Sequence, residues 1–154
     1  MKHATVLLCA VFILIGSANV PAAQSYSELK DAFGYVVGTY TSGLLIAEVC
    51  SGYPKLKTES EAASRNYLSA NSGTYYAVQK KMQVIAFANG GQSELNRLKK
   101  EVKDMLSDQE SLKAEIRKTA SSENSCRTLL RNLRRGYWDI KTKAHRELEL
   151  IGLN

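Results

Sequence analysis

The chain has 154 residues, of which 44% are hydrophobic and 23% charged, and its formal net charge is +6 at pH 7. A chain of this length is able to bury a hydrophobic core as one domain, and its cysteines are too few for a toxin-like scaffold held by many disulfides. With two histidines and three cysteines in all, it has few side chains for zinc binding or for a His-based catalytic triad.

The N-terminus has the three-part plan of a secretory signal peptide. Lys2 precedes an apolar stretch at 4–15, and small and polar residues follow up to Ala22. An apolar stretch this short fits an uncleaved membrane anchor less well, because a bilayer-spanning helix needs about 20 apolar residues. The sequence therefore predicts a signal peptide at 1–22 and a single mature domain at 23–154. The protein would be secreted, or periplasmic in a bacterium.

The first predicted helix spans about 26–50. Ser25 and Glu28 have the S-x-x-E spacing of a capping box, and apolar residues then recur every three or four positions. Pro54 follows the end of this helix.

Three glycines lie inside this first helix, at Gly34, Gly38 and Gly43. The GYVVG motif at 34–38 matches the small-xxx-small pattern of close helix contacts. In a helical bundle the glycines let a neighbouring helix or a large aromatic ring approach. The alternative is that they leave room for a small apolar ligand between the helices.

Three further helices are predicted at about 58–89, 93–119 and 123–150. Asn89-Gly90-Gly91 separates the first two, and the third begins after the polar break at 121–125. The helix at 93–119 carries an apolar stripe whose members are Leu95, Leu98, Val102, Met105, Gln109, Leu112 and Ile116. Such a stripe is typical of a bundle core, and the alternative is a self-assembling coiled coil through 95–116.

Two cysteines, Cys50 and Cys126, remain after signal cleavage, and an oxidising compartment favours one disulfide between them. In an up-down-up-down four-helix bundle, the end of the first helix and the start of the fourth lie at the same end. A reversal at Asn71-Ser72-Gly73 would give five helices and separate the two cysteines beyond the reach of a disulfide, whose Cα atoms lie within about 7 Å. The prediction is an all-α, up-down-up-down four-helix bundle with one disulfide.

Catalytic and cofactor motifs are absent from the sequence, which has no P-loop, GxGxxG or GxSxG motif. His145 and Glu149 have i,i+4 spacing, which is more typical of a surface salt bridge than of a metal site. We expect no catalytic residues, no metal, no cofactor and no enzymatic activity.

The clearest surface signal lies at 126–154, which holds seven basic and three acidic residues. On one continuous helix, at about 100° per residue, a basic stripe would flank the core face and include Trp138, the only tryptophan. Arginine and tryptophan are enriched at binding hot spots. The predicted partner-binding residues are Arg127, Arg131, Arg134, Trp138, Lys141 and His145. The alternative is a solvated face whose bases pair with acids of the third helix.

These features favour a secreted, non-enzymatic binding protein that contacts another protein through the basic stripe. An inhibitor, an antagonist or an immunity-type protein would act in this way. A polyanion such as heparan sulfate is a further partner that suits the charge, whereas secretion argues against nucleic acid. The two alternatives are a carrier of a small apolar ligand and a self-assembling structural protein.

Overall fold

A computed structural model describes residues 24–153. The predicted signal peptide and its cleavage after Ala22 lie outside the described residues. Within them, six α-helices and one short 3-10 turn are present, and no strand occurs. The elements are α1 (Tyr26–Ser51), the 3-10 turn (Pro54–Leu56), α2 (Lys57–Ser107), α3 (Gln109–Thr119), α4 (Glu123–Arg134), α5 (Ile140–Lys143) and α6 (His145–Ile151). The all-α class is confirmed.

Helix α1 begins with the predicted capping box. The Ser25 hydroxyl accepts a hydrogen bond from the Glu28 backbone amide at 3.2 Å. The Glu28 carboxylate accepts one from the Ser25 backbone amide at 2.8 Å. Both interactions satisfy amides that would otherwise lack a partner in the first helical turn. The hydrogen bond from the Ser25 backbone, with that from its side chain, lowers the pKa of Glu28.

Helix α2 passes through Asn71-Ser72-Gly73 without reversing, as the four-helix prediction requires. Its axis breaks at Gly90 and Gly91, where the backbone leaves helical geometry and Gly91 adopts a φ of 62°. Because a side chain disfavours this left-handed region, glycine suits the break. The third predicted helix, 93–119, is divided at Asp108 between the second arm of α2 and α3.

The prediction of one continuous fourth helix at 123–150 is wrong. The chain forms α4, leaves helical geometry after Arg134, and returns to it in the short helices α5 and α6. Gly136, with a φ of 76°, lies in the turn between α4 and α5. The apolar spacing continues across this turn, which is why periodicity alone did not reveal it.

A buried asparagine of α2 holds this turn in place. The Asn71 side chain accepts a hydrogen bond from the Ile140 backbone amide at 2.7 Å and donates one to the Asp139 carboxylate at 2.9 Å. It also donates to the Tyr67 carbonyl at 2.9 Å. Asn71 is 1% exposed, so these bonds form where water cannot replace them. The asparagine that resembled a helix breaker in the sequence is thus a tertiary anchor.

The core has two clusters, and α1 contributes to both. The N-terminal half of α1 packs with the middle of α2 and with α5 and α6. The C-terminal half packs with the start of α2 and with α4. Within α1, Gly43 is essential to this packing, because a Cβ there would overlap the ring of Tyr67. The Tyr67 hydroxyl donates to the Thr39 carbonyl at 3.1 Å.

The predicted disulfide between Cys50 and Cys126 is confirmed. It joins the last turn of α1 to the first turn of α4, with a Cα–Cα distance of 5.4 Å. Both cysteines are fully buried in the second cluster.

Among the described residues, α1 is the one helix long and apolar enough to cross a membrane by length and composition. Of its most apolar window, 56% is buried inside the fold. The core helix of a globular protein passes the same test, so this is weak support for a membrane span.

Replacing Asn71 by Ala should lower the free energy of unfolding by about 2–3 kcal/mol, because the Ile140 amide and the Asp139 carboxylate would lose a buried partner. Urea denaturation measures this change. The control is Asn96→Ala, since Asn96 is exposed and bonds only to Gln92 among the described residues. Equal stability losses in the two variants would contradict the anchoring role.

Removing the disulfide with Cys50→Ala and Cys126→Ala together should reduce stability by up to about 4 kcal/mol. The bridged cysteines are 76 residues apart, and a loop of that length loses much chain entropy on closure in the unfolded state. Guanidinium denaturation of the wild type, oxidised and reduced, should show a similar difference. An unfolding midpoint that reduction leaves unchanged would refute this account.

Candidate functional site

The predicted basic residues separate into two groups. Arg127 and Arg134 both pair with Glu59 of α2, at 3.7 Å and 2.6 Å respectively. Arg127 also bonds to Glu123 at 2.7 Å, and this hydrogen bond lowers the pKa of Glu123. Two of the six predicted contact residues are therefore partly neutralised by the fold. Their carboxylate partners lie on α2 and α4 rather than on the third predicted helix.

The remaining bases of this region have no carboxylate within ion-pair distance among residues 24–153. All of them are exposed. They are Arg131, Arg135, Lys141, Lys143 and Arg146, and we call them the unpaired cations. Arg131 bonds only to the Thr128 hydroxyl, at 3.3 Å. Their charge is therefore available to an acidic partner.

Trp138 lies in the turn between α4 and α5 and is partly buried. One side of it packs on the second core cluster. The Lys143 ammonium lies 5.2 Å from the centre of its ring, within the range of a cation–π contact. The only tryptophan is thus fixed in place while part of its surface stays accessible.

A surface cleft adjoins Trp138, and sequence reasoning did not identify it. Its volume is about 420 Å³. Helix α1 supplies five of its lining residues, the turn after α4 supplies one and α5 supplies one. The lining residues are Gly34, Tyr35, Gly38, Thr39, Ser42, Trp138 and Lys143. We call this the Gly38 cleft. The GYVVG motif and the tryptophan are far apart in the sequence, and only the fold makes them neighbours.

His145 lies at the start of α6 and contacts Glu149 at 3.3 Å. This agrees with the predicted i,i+4 surface pair. Across residues 24–153, no group of three or more His, Cys, Asp or Glu side chains is arranged to hold a metal ion.

The single helical stripe predicted for Arg127 through His145 is corrected by the break after Arg134. Angles counted along one helix do not apply across the turn at 135–139. Lys141 lies on α5 and His145 on α6, whereas Arg127, Arg131 and Arg134 share α4. The site is therefore assembled from three short helices and a turn.

Comparison with protein-family models, with curated proteins and with solved structures finds no match. The functional argument accordingly depends on the chemistry of the chain's own residues. That chemistry consists of an exposed cationic surface, a fixed tryptophan and an adjoining cleft.

Proposed function

We propose that this is a secreted, non-enzymatic binding protein that acts by contact with another protein, as an inhibitor, an antagonist or an immunity-type protein. The observation that carries the proposal is the group of unpaired cations in the segment that holds the partly buried Trp138, one of which, Lys143, lies over its ring. If carboxylates of the chain paired with every base, this face would contact only solvent. Five bases have no such ion pair among the described residues, so their charge can attract an external partner. Arginine and tryptophan are also the side chains most enriched among binding hot spots.

Secretion is part of this proposal. It is supported by the Cys50–Cys126 disulfide, because such bonds persist in oxidising compartments. The signal-peptide pattern at 1–22 points in the same direction.

We also propose that four segments, 26–51, 57–89, 92–119 and 123–151, run up-down-up-down. The support is the order of residues in the two core clusters. Leu56 and Tyr67 pack near the end of α1, whereas Val78 and Ala86 pack near its start. The last segment begins at Cys126 beside the end of α1 and reaches the first cluster at Ile151.

Reversing two unpaired cations, with Arg135→Glu and Lys141→Glu together, should weaken partner binding at least tenfold. The change replaces attraction to an acidic partner with repulsion. A photo-crosslinking residue at Tyr137, which is 57% exposed, first identifies the partner from the fluid in which the protein accumulates. The identified protein is then purified, and its binding is measured by calorimetry.

The matched control reverses Lys99 and Lys103, which are exposed bases of α2 without ion pairs among the described residues. This control has the same change in net charge but should keep its affinity. Equal affinity of both variants for the purified partner would remove the cationic surface from the proposal. A partner that crosslinks from Tyr76, 63% exposed on α2, but not from Tyr137 would do the same.

A second candidate function, self-assembly, has one observation in its favour. Of the apolar stripe at 95–116, only Leu98 is buried, and Met105 is 39% exposed. Helix α3 buries no residue fully. A second copy would cover this stripe in a coiled-coil interface.

Self-assembly predicts a dimer or larger species in sedimentation equilibrium at micromolar concentration. Met105→Glu with Leu112→Glu should then convert it to a monomer, because two buried charges would oppose the apolar contact. A wild-type protein that sediments as a monomer would rule this function out.

A further inference from the structure

The Gly38 cleft has the form of an anchor pocket, because two of its lining residues, Gly34 and Gly38, have no side chain. A Cβ built at Gly38 would meet no atom within 4 Å, and one at Gly34 would meet only the Met105 sulfur, at 3.9 Å. Gly43, in contrast, is filled by Tyr67. The glycines of α1 therefore serve two purposes, and those at 34 and 38 leave an unfilled surface recess.

The walls of the recess combine apolar and cationic groups. Trp138, which packs partly on the core, and Tyr35, which is 50% exposed, both line it. Lys143 also lines it and lies above the tryptophan ring. Aromatic walls favour an apolar group, while the ammonium favours a carboxylate beside it.

Among the described residues, the one charged side chain that lines the recess is positive. It is Lys143, and Lys141, two residues before it, is exposed and unpaired among the described residues. Arg146 instead lines an adjoining cleft with Glu28, Asp31 and Glu147. Among residues 24–153, no acidic side chain lines the recess. An occupant therefore gains by carrying negative charge outside the part that enters it.

We propose that the Gly38 cleft receives a single apolar side chain from an acidic segment of a partner protein, with the flanking carboxylates on Lys141 and Lys143. This rests on the proposed function, since it specifies how the partner would be held. A polyanion such as heparan sulfate matches the cations but has no apolar group for the recess.

The test fills the recess without harming the fold. Gly38→Leu places a side chain in open space, and replacing a helical glycine favours the helix, so the melting temperature should stay equal or rise. Gly73→Leu is the matched control, because Gly73 also lies within a helix with no atom within 4 Å of a built Cβ.

The probes are three blocked, tryptophan-free peptides. One is acidic with a single central leucine, one is acidic with serine in that place, and one carries the leucine between lysines. Trp138 is the only tryptophan of the chain, so its fluorescence reports occupation of the recess directly, and calorimetry gives the affinity.

The acidic leucine peptide should shift the Trp138 emission and bind the wild type and Gly73→Leu equally. Binding to Gly38→Leu should be at least tenfold weaker. The serine and lysine peptides should bind at least tenfold more weakly to the wild type. Equal binding of the leucine and serine peptides, or equal binding to both glycine variants, would overturn the anchor pocket. So would an absence of binding by all three peptides at millimolar concentration.

These outcomes are distinct from failure of the proposed function. If Gly38→Leu binds the crosslinked partner as the wild type does while Arg135→Glu with Lys141→Glu does not, the binding function stands and the anchor pocket is wrong. If neither variant affects that partner, both are wrong.

Discussion

The disulfide between Cys50 and Cys126 is the constraint on which the position of the last third of the chain depends. It fixes the start of α4 against the end of α1, with 5.4 Å between the two Cα atoms. Asn71 provides a second fixed point, at Asp139 and Ile140. Between these points the chain leaves helical geometry, and that turn carries Trp138. The position of the candidate surface therefore depends on two anchors of an interrupted helix. One is covalent, the disulfide, and the other is polar, the side chain of Asn71.

The distribution of ion pairs gives this surface its charge. Glu59 forms ion pairs with the guanidinium groups of Arg127 and Arg134 and so partly neutralises one part of α4. Exposed pairs of this kind contribute only about 0–1 kcal/mol each to stability. Their larger effect is on where charge remains, because Arg131 and Arg135 and the lysine and arginine side chains of α5 and α6 have no ion pair among the described residues. Electrostatic attraction of this kind governs specificity and association rate more than stability.

Much of the fold follows from local signals in the sequence. The capping box at Ser25 and Glu28 sets the start of α1, since its hydrogen bonds involve residues three positions apart. The paired glycines at 90–91 interrupt α2 because their backbone adopts conformations that other residues disfavour. Periodicity does not predict the break at 135–139, because the apolar spacing persists across it. The hydrogen bonds that hold this turn come from Asn71, which is 68 residues from Asp139 and 69 from Ile140.

The sequence by itself determined the all-α class, the start and end of α1, and the pairing of two cysteines, because capping, periodicity and cysteine number depend on local chemistry and composition. Only the tertiary structure decided which bases are neutralised and which glycines are filled. Gly38 and Gly43 are alike in the sequence, but Tyr67 packs against one and leaves the other open. That difference depends on which distant side chain faces each glycine, and the residues next to each glycine in the sequence do not determine it.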